Sequence, residues 1–416
     1  MKVAIISQYY PPENVHITAN VARGLAQRGH QVRIITGYPN YPEGQLFDGY
    51  VQRWRSREFD GDIEILRVPL WMDHSQRAFR RALNYGSFAL SAATARDFVS
   101  GADVIYVYAT QMTPAFGPWI WRLVGGAPYV LHIQDLWPDS IIGSSLVSGG
   151  RSAWVIDRVL DPWISSVYHR AGAVIGIAPT MIRILEERGA DPATLHLVYN
   201  WAEEPKAEPS RQHPASSVAM TTVLYGGNVG DMQDLETAVR AAHAAADAQI
   251  RLQIVGDGIA LTRVKAVVGR LGATNVEFGG PVARSDMAYY YAQADYALVT
   301  LKDLPIFRGT VPSKLQSALA FGLPVITTVQ GDVRSLVNDL QVGYTADAEN
   351  VDALEQAFRA AAGAAHNVRL AMADRARDAY ADRFSQAAGI DAIARILERT
   401  VRRHRPRIER ESSAVD

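Results

Sequence analysis

Short apolar runs alternate along the chain with longer stretches in which apolar residues recur every third or fourth position. Val3 to Ile6 reads as a buried strand, Thr18 to Arg28 as a helix, and Gln31 to Thr36 as the next strand. That β-α-β rhythm predicts a parallel sheet covered by helices. Further strands are expected at Ile63 to Val68, Val104 to Tyr108, Tyr129 to Ile133 and Ala173 to Ile177. Helices are expected at Gln76 to Phe98, Pro114 to Val124, Ala153 to Arg170 and Met181 to Glu187. A second set of strands runs through Thr221 to Tyr225, Gln253 to Gly256, Val276 to Phe278, Tyr296 to Val299 and Val325 to Thr327, with helices between them such as Leu235 to Ala245. Alanine-rich Val351 to Ala365 and Ala371 to Arg399 read as helices.

The pattern breaks near residue 200. Leu197 to Trp201 closes the first set, and Pro205 to Ser216 is a Pro/Ser/Gln-rich connector, the expected interdomain linker. Length agrees, because 416 residues exceed what one core usually supports. The expected units are 1–204, 205–370, a closing helix over 371–400, and a charged solvated tail over 401–416. No internal repeat of solenoid period appears.

Composition narrows the function classes. With 48% hydrophobic and 20% charged residues the chain reads as folded and soluble. The 42 basic and 43 acidic residues leave a net charge of -1, which argues against a general nucleic-acid binder. Without cysteine there is no disulfide, thiolate nucleophile or cysteine-held zinc, and a reducing cytoplasm fits. Met1-Lys2 runs straight into the first strand, unlike a signal peptide, and no apolar run reaches the roughly 18 residues of a spanning helix. Membrane contact is therefore expected to be peripheral.

Several segments carry chemistry. Pro312-Ser313-Lys314-Leu315 opens a helix that ends at Gly322-Leu323-Pro324 before a strand, so a lysine sits one turn into a helix N-terminus, a favourable place for an anion. Tyr225-Gly226-Gly227-Asn228-Val229-Gly230 joins a strand to a helix, and its glycines let backbone approach a phosphate. The spacing departs from G-x-G-x-x-G, which disfavours a dinucleotide-dependent dehydrogenase. Asp257, in Val255-Gly256-Asp257-Gly258, follows a strand at its ligand-bearing carboxyl end. Leu131-His132-Ile133-Gln134-Asp135-Leu136-Trp137-Pro138 is a polar stretch at the mouth of a buried strand. Each has a bland alternative: a surface lysine, a chain-turning glycine pair, a structural histidine, a carboxylate capping a helix. No His/Asp cluster suggests a metal.

Taken in order, Met1 to Glu13, Gly29-His30-Gln31-Val32, the Gly226 turn, Val255 to Gly258 and Pro312 to Ile326 resemble the retaining glycosyltransferases of family 4, over roughly residues 1 to 395. The likeness is greatest to bacterial members that build cell-envelope and surface glycans. The resemblance implies an α/β protein of GT-B fold, with two Rossmann-like α/β/α domains facing each other across a cleft and a last helix that crosses back to the first domain. It implies a nucleotide-sugar donor, with UDP expected, a glycan or polyprenyl-diphosphate-linked sugar acceptor, no separate cofactor and no metal. By the resemblance, Gly227, Asn228, Gly230, Asp257 and Ser317 lie on the donor side, and Lys314 and Arg308, with Lys302 as a third candidate, are the cations expected to hold its diphosphate. His16, Asp135 and Trp137 bind the acceptor, and Asp135, His132 and Lys314 serve the chemistry. The turn Gly279 to Val282 resembles the one beside the nucleobase.

The chain departs from the family pattern in three places. The two glutamates usually found eight positions apart are Gly309 and Ser317 here, and Asp231-Met232-Gln233-Asp234 carries none of the cations common after the glycine turn. In place of paired glycines the first loop reads Pro11 to Thr18. Ser317 can give a ribose hydroxyl one hydrogen bond but lacks the paired acceptance of a carboxylate. These losses keep alive a degenerate transferase that binds carbohydrate or scaffolds, beside an inverting or epimerising GT-B enzyme. Finally, Arg77, Arg80 and Arg81 alternate with Phe79 and Leu83 on one amphipathic stretch suited to anionic headgroups. Pro118 to Arg122 adds an aromatic-basic patch, although core packing is the simpler reading of each segment alone. Together they point to a lipid-linked acceptor at the inner face of the cytoplasmic membrane.

Overall fold

The computed structural model describes residues 1–73, 78–137, 158, 160–201, 220–283 and 286–404. The linker, part of the helix expected from Ala153, and the tail beyond residue 404 lie outside them. The chain forms two compact units, Met1–Tyr199 together with the chain from Gly389 onward, and Asn200–Ala388.

The first unit is built on strands β1 (Lys2–Ile6), β2 (Gln31–Gly37), β3 (Ser56–Asp60), β4 (Ile63–Val68), β5 (Val104–Ala109), β6 (Tyr129–Ile133), β7 (Ala173–Gly176) and β8 (Leu195–Leu197). Their order is β3-β4-β2-β1-β5-β6-β7-β8. All pairs are parallel except β3 with β4. The central strands β5 and β6 are buried at every position, as a parallel sheet covered on both faces requires. The second unit holds β9 (Thr221–Gly226), β10 (Ile250–Val255), β11 (Val276–Gly280), β12 (Tyr296–Val299), β13 (Val325–Thr327) and β14 (Gly343–Thr345), all parallel in the order β11-β10-β9-β12-β13-β14. In each sheet the strand order reverses once, between β1 and β5 and between β9 and β12. Such switch points leave a crevice outside the carboxyl ends of the strands, where open α/β sheets bind ligands.

The last helix, Gln386–His404, belongs to the first unit from Gly389 on. It buries Ile390, Ile393, Ala394, Leu397 and Val401, one helical stripe. Ile390 lies so close that a Cβ on Gly24 would stand 2.6 Å from its Cδ1, and Arg28 pairs with Asp391 at 2.5 Å. The helix expected over Ala371 to Arg399 is instead two, His366–Ala379 and Gln386–His404, joined by a wide turn. Ser385 makes the break: its backbone is extended, its hydroxyl donates to the Ala381 carbonyl at 2.8 Å, and it accepts from the Ala388 N–H at 3.1 Å. That is the capping chemistry expected of serine at a helix start.

Candidate functional site

In the second unit, β9 ends at the switch point in the turn Gly226–Gly230. Three backbone turns are laced together there. Gly227 N–H donates to the Val255 carbonyl, Val229 N–H to Asp257, and Gly256 N–H to Gly280, each at 2.8 Å. Glycine is obligatory at two of these positions. Gly256 has φ +138°, and a Cβ there would stand 1.9 Å from the Gly227 oxygen. Gly227 has φ +123°, and its Cβ would meet Lys314 Cε at 2.8 Å.

Lys314 comes from helix Ser313–Ala320, whose N-terminal end also lies at this edge. Its ammonium donates to Tyr225 Oη at 2.5 Å and sits 4.3 Å from the centroid of that ring. Burial lowers its pKa from 10.5 to about 8. Tyr225 is fully buried, its hydroxyl donates to the Asn228 carbonyl at 2.5 Å, and burial holds it protonated. The glycine turn and Lys314, far apart in sequence, are thus brought together.

The other expected donor residues stand differently. Asn228 is exposed, and the Gly230 N–H donates to Gln233 Oε1 at 3.0 Å. Asp257 is exposed and accepts from the Gly258 N–H at 2.7 Å, a local turn contact. Lys302 lines a separate cavity of about 280 Å³ with Gly230, Asp234, Thr237, Arg240 and Arg263. The Arg308 guanidinium is held by both carboxylate oxygens of Asp303 at 3.0 and 2.9 Å, so a phosphate would have to displace that partner. Ser317 is half-buried three residues after Lys314, on the same side of the helix.

In the first unit three neutral amides meet just past the carboxyl ends of the strands, beside the β1/β5 switch point. Gln8, just past β1, donates to Asn84 Oδ1 at 2.7 Å and accepts from Gln111, just past β5; Asn84 donates to the Trp71 carbonyl at 2.7 Å. All three amides are buried. Glu13 is buried too, and accepts from the Asn40 and Tyr41 N–H groups at 2.9 Å and from Tyr10 N–H at 3.2 Å. Burial pushes its pKa up, and those three bonds oppose the shift. His16 opens helix His16–Gln27, with its Nδ1 buried and without a hydrogen-bond partner.

Asp135 lies two residues past β6 and is exposed as a residue, yet the burial its carboxyl does experience raises its pKa. Burial first, and the Asp135 charge second, raise the pKa of the neighbouring Tyr108. Trp137 is buried edge-on to Tyr85, ring centroids 5.8 Å apart, and its carbonyl accepts from Arg188 at 2.5 Å. Pro138 and Asp139 lie outside the described residues. His132 needs a correction of place. It lies within β6 rather than at its mouth, 0% exposed, its Nδ1 2.5 Å from Tyr106 Oη and its ring edge-on to Tyr106 and Tyr108. Burial lowers its pKa to about 3, so it is neutral at physiological pH, and its ring lies in the core between the two tyrosines.

The basic aromatic patches are partly engaged. Arg77 lies outside the described residues, Arg80 pairs with Asp73 at 3.3 Å, and Arg81 donates to Tyr85 Oη at 3.2 Å. Leu83 and Trp71 are exposed. Trp121 is buried and donates to the Ala93 carbonyl, and Trp119 donates to Ser166, so this second patch packs inward. Among the described residues no group of three or more His, Asp or Glu could hold a metal ion, and no helix is long and apolar enough to cross a membrane.

Sequence reasoning gave no role to Tyr225 or Glu13. Tyr225 stands directly before the glycine turn at the carboxyl end of its strand, a usable signal. Glu13 follows a double proline but shows its purpose only through the distant Asn40 and Tyr41.

Residues 15–201 match the family model of the glycosyl transferase 4-like domain, and residues 221–362 match that of the glycosyl transferases group 1. The chain is 27% identical over 348 residues to "Putative colanic acid biosynthesis glycosyl transferase WcaI" of Escherichia coli (strain K12), covering 79% of this chain and 84% of that protein. Among solved structures, sucrose-phosphate synthase from Thermosynechococcus elongatus matches with a TM-score of 0.65 at 18% identity, over 96% of this chain and 98% of that one. Anabaena Alr3699/HepE in complex with UDP matches with a TM-score of 0.61 at 15% identity, over 96% and 100%. At these identities the two structures speak for the fold.

Proposed function

The chain belongs to the GT-B glycosyltransferases of family 4, and from that premise we propose that it moves a sugar from a UDP-sugar to a hydroxyl of a glycan or polyprenyl-diphosphate-linked sugar, with retention at the anomeric carbon and without a metal. The observation that carries the donor reading is the Lys314 ammonium over the Gly227 turn at the β9/β12 switch point. A half-buried cation beside glycine turns suits a diphosphate, whose charge grows as the glycosidic bond breaks. The UDP preference takes support from the UDP-bound structural neighbour, and the glycan acceptor from the relative named for colanic acid biosynthesis.

In the proposed step the bond from the anomeric carbon to the β-phosphate oxygen breaks, and the acceptor oxygen bonds to that carbon on the same face. The acceptor proton passes to the departing phosphate oxygen. Lys314 neutralises that phosphate. Asp135 orients the acceptor hydroxyl, and His132 supports it from the core. His16 and Trp137 frame the acceptor, while Gly227, Asn228, Gly230, Asp257 and Ser317 stay on the donor side, with Lys302 and Arg308 as outlying cations. No carboxylate nucleophile is needed, unlike a retaining glycosidase. Exposed Trp71 and Leu83 with Arg80 and Arg81 form the face we assign to anionic membrane at the cytoplasmic side.

Gly309 and Ser317 favour a second reading, a degenerate transferase that binds nucleotide or glycan without turnover. Incubating purified protein with UDP-hexoses and polyprenyl-diphosphate-linked sugars, then assigning the product anomer by NMR, separates the readings. A product with the donor's anomeric configuration is expected. An inverted product or an epimerised nucleotide sugar would replace the mechanism, and nucleotide binding without product would favour the degenerate reading.

A further inference from the structure

We propose that Tyr225 is a positioning residue whose phenol holds the Lys314 ammonium over the Gly227 turn, ready for a phosphate oxygen of a nucleoside diphosphate. This rests on the donor reading above and assigns a role to a residue buried beneath the site.

The hydrogen-bond chain has one direction. An ammonium only donates, so the Tyr225 oxygen accepts from Lys314 and its own proton goes to the Asn228 carbonyl. Two things follow. The lysine, a long stem that would otherwise sample many rotamers, is held before ligand arrives. The Asn228 carbonyl, whose partial negative charge would repel a phosphate at this turn, is occupied by the phenol. The absent side chain at Gly227 leaves room for the lysine stem, since a Cβ there would stand 2.8 Å from Lys314 Cε. The segment after the turn, Asp231-Met232-Gln233-Asp234, contributes no cation, so the placement of this one lysine matters more.

Among the elements packed on the lysine's helix, the turn Tyr380–Phe384 carries Asp382 and Arg383, both exposed. From β9 the facing titratable group is Tyr225, which burial keeps protonated. From helix His366–Ala379, packed against the lysine's own helix, Arg377 reaches Gly322 at the far end and pairs with Asp374. Burial alone moves the lysine, to about 8. Its charge is therefore conditional near physiological pH, and an acceptor for the charged form bears directly on nucleotide binding.

The test is calorimetric titration of UDP into wild-type protein, Tyr225→Phe and Lys314→Met between pH 6.5 and 9.5, with melting temperatures in parallel. Wild type is expected to bind with an affinity that is level at low pH and falls above about pH 8. Tyr225→Phe keeps the ring but removes the acceptor. Its affinity at pH 7 should fall about tenfold, the scale of one hydrogen bond to a charged group, and its alkaline fall should begin at lower pH. Affinity and limb equal to wild type would overturn the proposal. So would a loss that is uniform with pH and matched by a drop in melting temperature, which a packing role alone produces. If wild type and Lys314→Met bind UDP equally, the lysine assignment fails, and this proposal with it, while nucleotide binding stands. If wild type binds none of UDP, GDP and ADP, the donor reading itself fails.

Discussion

The two switch points do the same topological job with opposite materials. In the second unit the crevice is floored by backbone: three glycine turns bonded to one another, with the Lys314 ammonium standing over Gly227. In the first unit the crevice is floored by side chains: the Gln8–Asn84–Gln111 amides and a core histidine between two tyrosines, with Asp135 two residues past β6 and near Tyr108. On the proposed reading the difference matches what each would hold. A diphosphate carries concentrated charge that close backbone approach and a half-buried cation can meet. A sugar hydroxyl is neutral and directional, and would be served by a carboxylate fixed on a rigid base. Neutral amides cost little to bury when each finds its partner, whereas a partly desolvated charge stays costly until its ligand arrives.

The largest expected effect breaks the backbone floor. Gly256→Ala forces φ +138° on an alanine and puts its Cβ 1.9 Å from the Gly227 oxygen. It should cost about 3 kcal/mol or more in denaturant unfolding and abolish UDP binding. Gly269→Ala, in helix Leu261–Leu271 with nothing within 4 Å of the new Cβ, should instead gain about 0.5–1 kcal/mol. A Gly256→Ala protein that matched wild type in both measurements would show that this floor needs no glycine.

A smaller effect is expected on the side-chain floor. Asp135→Asn keeps size and loses charge, so turnover should fall on the order of 100-fold, the scale set by misorienting a reacting group. UDP affinity and melting temperature should stay near wild type, because the residue is exposed and belongs to the other floor. Parallel loss of nucleotide affinity would erase the division of labour between the two units.

Much of this was legible along the chain, and the exceptions have physical causes. The buried strands β1, β2, β4 to β7, β9, β12 and β13 announced themselves as apolar runs. β3 did not, because an edge strand reading Ser-Arg-Glu-Phe-Asp is half in solvent. β8 and β14 are three residues each and, unlike the equally short but fully buried β13, half in solvent, so no apolar run marks them. The break at Ser385 was hidden by alanine-rich flanks that suit a helix on either side. His132 was misplaced because its neighbours suggested a strand mouth, while β6 is an interior strand buried along its whole length. Strand order is a long-range property, so neither switch point was visible, and neither was the meeting of Tyr225 with Lys314, 89 positions away. The glycine turn and the lysine were recognisable singly; their contact belongs to the fold.

The central claim is that one half-buried lysine over a glycine turn holds the donor's diphosphate. It is tested most directly by titrating UDP into wild-type and Lys314→Met protein at pH 7, with urea unfolding of both followed from pH 7 to 10.5. Losing one charge-assisted phosphate contact should weaken UDP at least about 30-fold, equivalent to roughly 2 kcal/mol. The unfolding data fix the charge state. Because the folded pKa is about 8 against 10.5 unfolded, the unfolded chain binds the extra proton between those values. Lys314 should therefore make wild-type stability rise with pH across that window relative to Lys314→Met. Unchanged UDP affinity in a folded Lys314→Met protein, or wild type that shows no saturable binding up to millimolar UDP, would contradict the account.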